Sequence, residues 1–120
     1  APIRMPTEDW GIDLEGEIAV IVDDLISAGN TIARAARACR MHGATQVIAC
    51  ATHGVFAADA NAVLADAPVD EIVVTDTLPP WRLTDPRVLA RLRRVSTVAL
   101  VAEAIARMHR GDSLVALAQP

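Results

Sequence analysis

The chain has 120 residues, of which 52% are hydrophobic and 22% charged, a proportion that makes one globular domain with a modest core rather than a disordered chain. A formal net charge of −4 makes the chain as a whole a poor binder of polyanions. With only 2% aromatic residues it has almost no stacking surface for single-stranded nucleic acid, so no nucleic-acid partner is expected.

Residues 1–10 read as a loose lead-in, because Pro2 and Pro6 block regular structure. The start at Ala1, without a methionine, fits a processed or truncated chain. Residues 11–16 read as a turn feeding a first strand over 17–23. Its near-continuous apolar run, Ile18-Ala19-Val20-Ile21-Val22, suits a central strand covered on both faces, and it ends in two adjacent carboxylates, Asp23 and Asp24. A short loop of small residues follows. Asn30 or Thr31 then caps a helix that runs to about His42. Ile32, Ala35, Ala36 and Cys39 recur at helical spacing toward the sheet, with Arg34, Arg37 and Arg40 on the other side and Gly43 as the stop.

A second buried strand is predicted over 46–51, ending at Thr52-His53-Gly54, and a second helix over 57–67, ended by Pro68. The third strand, 71–75, runs into Asp76-Thr77-Leu78-Pro79-Pro80. Asp85 and Pro86 read as N-cap and first position of a short helix to about Leu92. A fourth strand is predicted over 94–98. A last helix over 100–110 has Val101, Ala104, Ile105 and Met108 on its apolar face and Gly111 at its end, before an apolar tail over 113–118. This alternation predicts a single α/β domain over 1–120, with a mostly parallel sheet of about four to five strands flanked by helices.

Several features have bland readings. Cys39 and Cys50 lack metal-ligand spacing and suit packed free thiols. Arg87, Arg91, Arg93 and Arg94 form a basic cluster read as a solvated helix face. His42 and His109 sit near helix C-termini, where an imidazolium meets the negative end of the dipole. Trp10 and Trp81 lie in loops, as interface anchors or as buried plugs. No run reaches the ~18 apolar residues of a membrane span and no signal peptide is visible, so a cytoplasmic location without membrane contact is the default expectation.

Ligands in such sheets bind beyond the carboxyl ends of the strands. Asp23-Asp24 with its loop, Thr52-His53 and Asp76-Thr77 all fall there. In the first cluster Gly29 lets the backbone turn tightly, the helix N-terminus favours an anion, and Ser27 and Thr31 add hydroxyls. Two carboxylates beside an anion site would repel a bare phosphate. They suit sugar hydroxyls or a shared Mg²⁺, and a phosphate at one end with a diol at the other describes a ribose 5-phosphate. The loop lacks the Gly-Lys-Ser/Thr ending of a Walker loop. On pattern alone, the same residues also fit a plain strand end and helix cap.

The stretch Val20-Ile21-Val22-Asp23-Asp24-Leu25-Ile26-Ser27-Ala28-Gly29-Asn30-Thr31 resembles the phosphoribosyl-diphosphate (PRPP) motif of type I phosphoribosyltransferases. Three further segments make the chain similar to the C-terminal half of ribose-phosphate pyrophosphokinases, or PRPP synthetases. They are Ala51-Thr52-His53-Gly54-Val55-Phe56, Asp70-Glu71-Ile72-Val73-Val74-Thr75-Asp76-Thr77-Leu78-Pro79 and Leu100-Val101-Ala102-Glu103-Ala104-Ile105-Ala106-Arg107-Met108-His109. The resemblance implies the type I phosphoribosyltransferase fold. It also implies that Asp23 and Asp24 bind ribose hydroxyls, directly or through Mg²⁺, while Ser27, Ala28, Gly29, Asn30 and Thr31 surround the 5-phosphate. Its reaction is transfer of diphosphate from MgATP to ribose 5-phosphate, and its chains usually form hexamers, so a homo-oligomer is expected.

The chain departs from that family at Ser27, Ala28 and Asn30, where an acid, a threonine and a glycine are common, and at Val115 and Ala118 near its end. The family's ATP-binding loop, metal-binding histidine and basic catalytic loop precede the point where this chain starts. The expectation is a ribose 5-phosphate or PRPP half-site that is inactive without a nucleotide-binding half. A stand-alone phosphoribosyl-binding regulatory module is the alternative, and a small phosphoribosyltransferase without a hood for its base is a third reading. His53 is expected to be structural.

Overall fold

Four strands lie side by side in the order in which the chain makes them. They are Ile18–Ile26 (β1), Gln46–Gly54 (β2), Glu71–Thr75 (β3) and Leu92–Val95 (β4), all parallel. Asn30–Met41 (α1), Ala60–Asp66 (α2) and Pro86–Leu89 (α3) connect them. Val98–Arg110 (α4) and a 3-10 turn at Val115–Leu117 follow. The computed structural model describes residues 11–57 and 59–119, so the lead-in expected over 1–10, with Trp10, lies outside the described residues.

Strand order decides where the core sits. With the right-handed crossovers that βαβ units almost always take, strands added in one direction carry their connecting helices on one side. Burial follows that rule. Ala19, Val47, Ala49, Ile72 and Val74 of the sheet are buried with Ile32, Ala36 and Cys39 of α1, Leu64 of α2 and Val88 of α3. The opposite face is bare among the described residues: Ile18, Val20 and Val95 are exposed and Val22 is 77% exposed. The expected cover on both faces of β1 is therefore absent from the described structure. β1 is an edge strand there, because the chain adds every later strand on its other side.

Other boundaries move for local reasons. β1 continues past Asp23 to Ile26, since its pairing with β2 runs on to Ile26 and Gly54. α2 starts at Ala60 rather than 57, because residues 55–57 are strapped to the end of β1. Val55 N–H and Phe56 N–H donate to Ile26 O, both at 3.0 Å, and Ala57 N–H donates to Ser27 O at 3.1 Å. β4 ends at Val95 and α4 begins at Val98, earlier than expected, because Asp76 captures Thr97. Asp76 Oδ1 accepts the Thr97 N–H at 2.8 Å and its hydroxyl at 2.6 Å. The apolar stripe of α4 is uncovered among the described residues, with Val101, Ile105 and Met108 exposed.

Several of the arginines are structural. Arg40 does not sit on the solvent side of α1. It donates to Pro68 O, Ala44 O and Thr45 O and pairs with Asp70 at 2.6 Å, tying the end of α1 to the start of β3. The basic cluster is not a helix face either. Arg91 donates to Leu64 O at 2.6 Å, Val69 O at 2.8 Å and Ala67 O at 3.1 Å, closing the carbonyl end of α2. Arg87 pairs with Asp85 and Arg93 with Glu71. The Asp85 carboxyl is held below the usual range by hydrogen bonds from Arg87, and it caps α3 by accepting Arg87 N–H. Both cysteines are free. Cys39 is buried, and burial raises its thiol pKa.

A strand–loop–helix cradle as the candidate functional site

Adjacent residues of a strand point to opposite sides, so Asp23 and Asp24 approach the end of β1 from its two faces. Each uses one oxygen to hold the backbone. Asp23 Oδ1 accepts Asp24 N–H and Asp24 Oδ1 accepts Leu25 N–H, both at 2.8 Å. The second oxygen of each has no partner among the described residues.

Residues 27–29 then turn the chain into α1. Gly29 stands at φ +87°, and a Cβ built there would come within 2.7 Å of Leu64 Cδ2. Backbone conformation and contact with α2 both demand glycine. Gly29, not Asn30 or Thr31, is thus the N-cap, and no side chain caps the helix. The first intrahelical bond is Ala33 N–H to Gly29 O at 2.9 Å. The amides of Asn30, Thr31 and Ile32 therefore find no acceptor among the described residues. Together with the positive end of the helix dipole they favour an anion.

A cavity of about 380 Å³ opens at this turn. Asp23, Asp24, Ser27, Ala28, Gly29, Asn30 and Thr31 line it, together with Leu25 and Ile32. No group of three or more His, Cys, Asp or Glu that could hold a metal exists among the described residues. Two carboxylates with one free oxygen each fit Mg²⁺ of the kind that keeps several waters and shares substrate oxygens.

The other two strand-end clusters are joined to each other rather than to this cavity. His53 Nδ1 lies 2.7 Å from Thr77 Oγ1, and Thr75 Oγ1 donates to Thr52 O at 2.6 Å. Asp76 is committed to α4, and the bonds from Thr97 hold its carboxyl below the usual range. None of Thr52, His53, Asp76 or Thr77 lines the cradle. Sequence reasoning missed Asn61. Its Oδ1 accepts Thr84 N–H at 2.8 Å and Asp85 N–H at 2.9 Å, while its Nδ2 donates to Arg82 O at 2.8 Å. No periodic signal marks that role.

Sheet and cradle define a parallel α/β protein whose candidate site lies at the carboxyl end of its first strand, beside a helix N-terminus. Residues 4–119 match the family described as phosphoribosyl synthetase-associated domain, and the chain belongs to that family. It is 41% identical over 102 residues to a ribose-phosphate pyrophosphokinase of Caldanaerobacter subterraneus, covering 85% of this chain and 31% of that one. It is also 41% identical over 105 residues to one of Ralstonia nicotianae, covering 88% and 33%. Among solved structures it is similar to the phosphoribosylpyrophosphate synthetase of Mycobacterium smegmatis, with a TM-score of 0.74, 35% identity and coverage of 83% and 33%. The chain thus spans about a third of the length of these relatives. No helix among the described residues is long and apolar enough to cross a membrane.

Proposed function

We propose that this chain is the ribose 5-phosphate (or PRPP) half-site of a ribose-phosphate pyrophosphokinase. One observation carries the reading: the seven residues that the motif assigns to sugar and phosphate line one cavity. The 5-phosphate sits on the amides of Asn30, Thr31 and Ile32, with the hydroxyls of Ser27 and Thr31 beside it. The free oxygens of Asp23 and Asp24 take the ribose hydroxyls. Mg²⁺, where present, is held by the same carboxylates and screens them from the phosphates of the ligand. Two of the motif's changes concern side chains, Ser27 and Ala28; the third, Asn30, still offers its backbone amide.

The diphosphate donor, MgATP, is held by a nucleotide-binding half outside these 120 residues. The bare face of β1 supports that partner. Ile18, Val20 and Val22 are written for burial on both sides yet stand exposed here. The missing cover is part of the length that the pyrophosphokinases have and this chain does not, and a homo-oligomer completes the assembly.

Titration with ribose 5-phosphate and Mg²⁺, followed by backbone amide NMR, tests the cradle. The expected shifts concentrate at residues 29–32, and their absence would refute it. The same 120 residues given MgATP and ribose 5-phosphate should form no PRPP. PRPP formation would overturn the half-site reading.

A further inference from the structure

Among the described residues Phe56 alone of the non-glycines has a positive φ, +48°. Left-handed backbone is unfavourable for a bulky side chain, and it persists only where the surroundings over-determine it. Here they do. The ring is buried and lies over Gly54, where a Cβ would come within 2.5 Å of Phe56 Cε2. β2 thus ends in the one residue type that leaves room for the ring.

The outlier holds the entry to the cradle in place. Val55 N–H and Phe56 N–H both donate to Ile26 O at 3.0 Å, and Ala57 N–H donates to Ser27 O at 3.1 Å. Three consecutive amides thus converge on two consecutive carbonyls, and Ser27 lines the cavity. From the other side of the strap, Arg82 Nη1 donates to Val55 O at 3.4 Å. At the far end of the loop Gly29 packs against Leu64. Ser27 and Ala28 therefore run between two fixed points, and the amides of residues 30–32 follow in a set place.

We propose that Phe56 is a positioning residue of the cradle. Its ring, seated on Gly54, holds the backbone turn that fixes Ile26 and Ser27, and so sets the loop's affinity for a sugar phosphate without touching it. This rests on reading the cavity as a ribose 5-phosphate cradle. A loop already in place loses little freedom when its ligand binds, whereas a loop released from the strap has to be ordered first. A side chain that only fills the core would act on stability and leave the affinity of the folded protein alone.

The test compares Phe56→Ala with Ile72→Ala in the full chain. Ile72 is an equally buried core residue of β3 that pairs with Ala49 and Leu92, not with the strap or the loop. Both variants should unfold at lower urea. Only Phe56→Ala should weaken ribose 5-phosphate in the presence of Mg²⁺, by roughly tenfold in calorimetric titration of the folded protein. Only Phe56→Ala should move the amide NMR signals of Ser27, Ala28 and Gly29 in the unliganded protein. Phe56→Leu, which refills part of the space over Gly54, should fall between wild type and Phe56→Ala on both readouts, and it decides the matter if Phe56→Ala does not fold. Wild-type affinity with unmoved loop signals in the Phe56 variants would overturn the proposal and leave the cradle standing, as would an equal loss of affinity in Ile72→Ala. If wild type binds no ribose 5-phosphate, the cradle falls and the positioning role with it.

Discussion

Gly29 has two independent reasons to be glycine, and they can be separated. A β-carbon there would meet Leu64 Cδ2 at 2.7 Å, and the φ of +87° is strained for any L side chain. Gly29→Ala should cost ~2 kcal/mol or more in urea unfolding. Adding Leu64→Ala removes the clash but opens the core, so the double variant should be less destabilised than the sum of the two single changes. Strict additivity would show that the contact with α2 does not matter. Arg91 is the second residue whose role was hidden. Its guanidinium donates to the carbonyls of Leu64, Ala67 and Val69, in the last turn of α2 and the segment after it, and Arg91→Ala should lower stability by ~2 kcal/mol, read from the same unfolding curves.

At the scale of elements, α4 is the least integrated piece. It buries no side chain among the described residues, and its tie to the body runs through Asp76 and Thr97. The Asp76 carboxyl lies below its ordinary value, chiefly through the bond from the Thr97 hydroxyl, then that from the Thr97 amide. A depressed folded-state pKa contributes stability above the unfolded value and loses it as pH falls through the folded one. Amide exchange in α4 should therefore speed up as pH drops below the ordinary carboxylate range, after correction for intrinsic exchange. Asp76→Asn should show fast exchange at neutral pH as well. Equal α4 protection in both proteins across that range would contradict this hinge.

Much of this level was legible beforehand. The third strand, the Asp85 cap and the Gly111 stop follow from local chemistry that acts within a few residues. What escaped is non-local. The strap of residues 55–57 onto β1, the capture of Thr97 and the clamps of Arg40 and Arg91 each join positions more than twenty residues apart, and periodicity carries no trace of them. The Asp23–Thr31 loop was found as a motif. Its cap was misassigned because Asn30 and Thr31 are good capping types, whereas the fold needed the left-handed Gly29.

For the whole molecule, strand order matters more than composition. A sheet built in one direction hides one face and leaves the other for something else. Val22→Lys tests this, because Val22 is 77% exposed in the described structure. The isolated chain should keep its stability within about 0.5 kcal/mol, as ordinary surface changes do. The same change in a full-length pyrophosphokinase carrying this segment should impair folding or assembly, seen by size-exclusion chromatography. An unchanged full-length protein would mean that the face is never covered.

The account turns on whether the carboxylate pair grips the sugar. Calorimetric titration of ribose 5-phosphate with Mg²⁺ into wild type and Asp23→Asn/Asp24→Asn reads this directly. Binding by the wild type and a loss of roughly tenfold or more in the variant is the result expected for hydrogen bonds to charged groups. Equal affinity in the two proteins would contradict it, because the ribose would then owe nothing to Asp23 and Asp24.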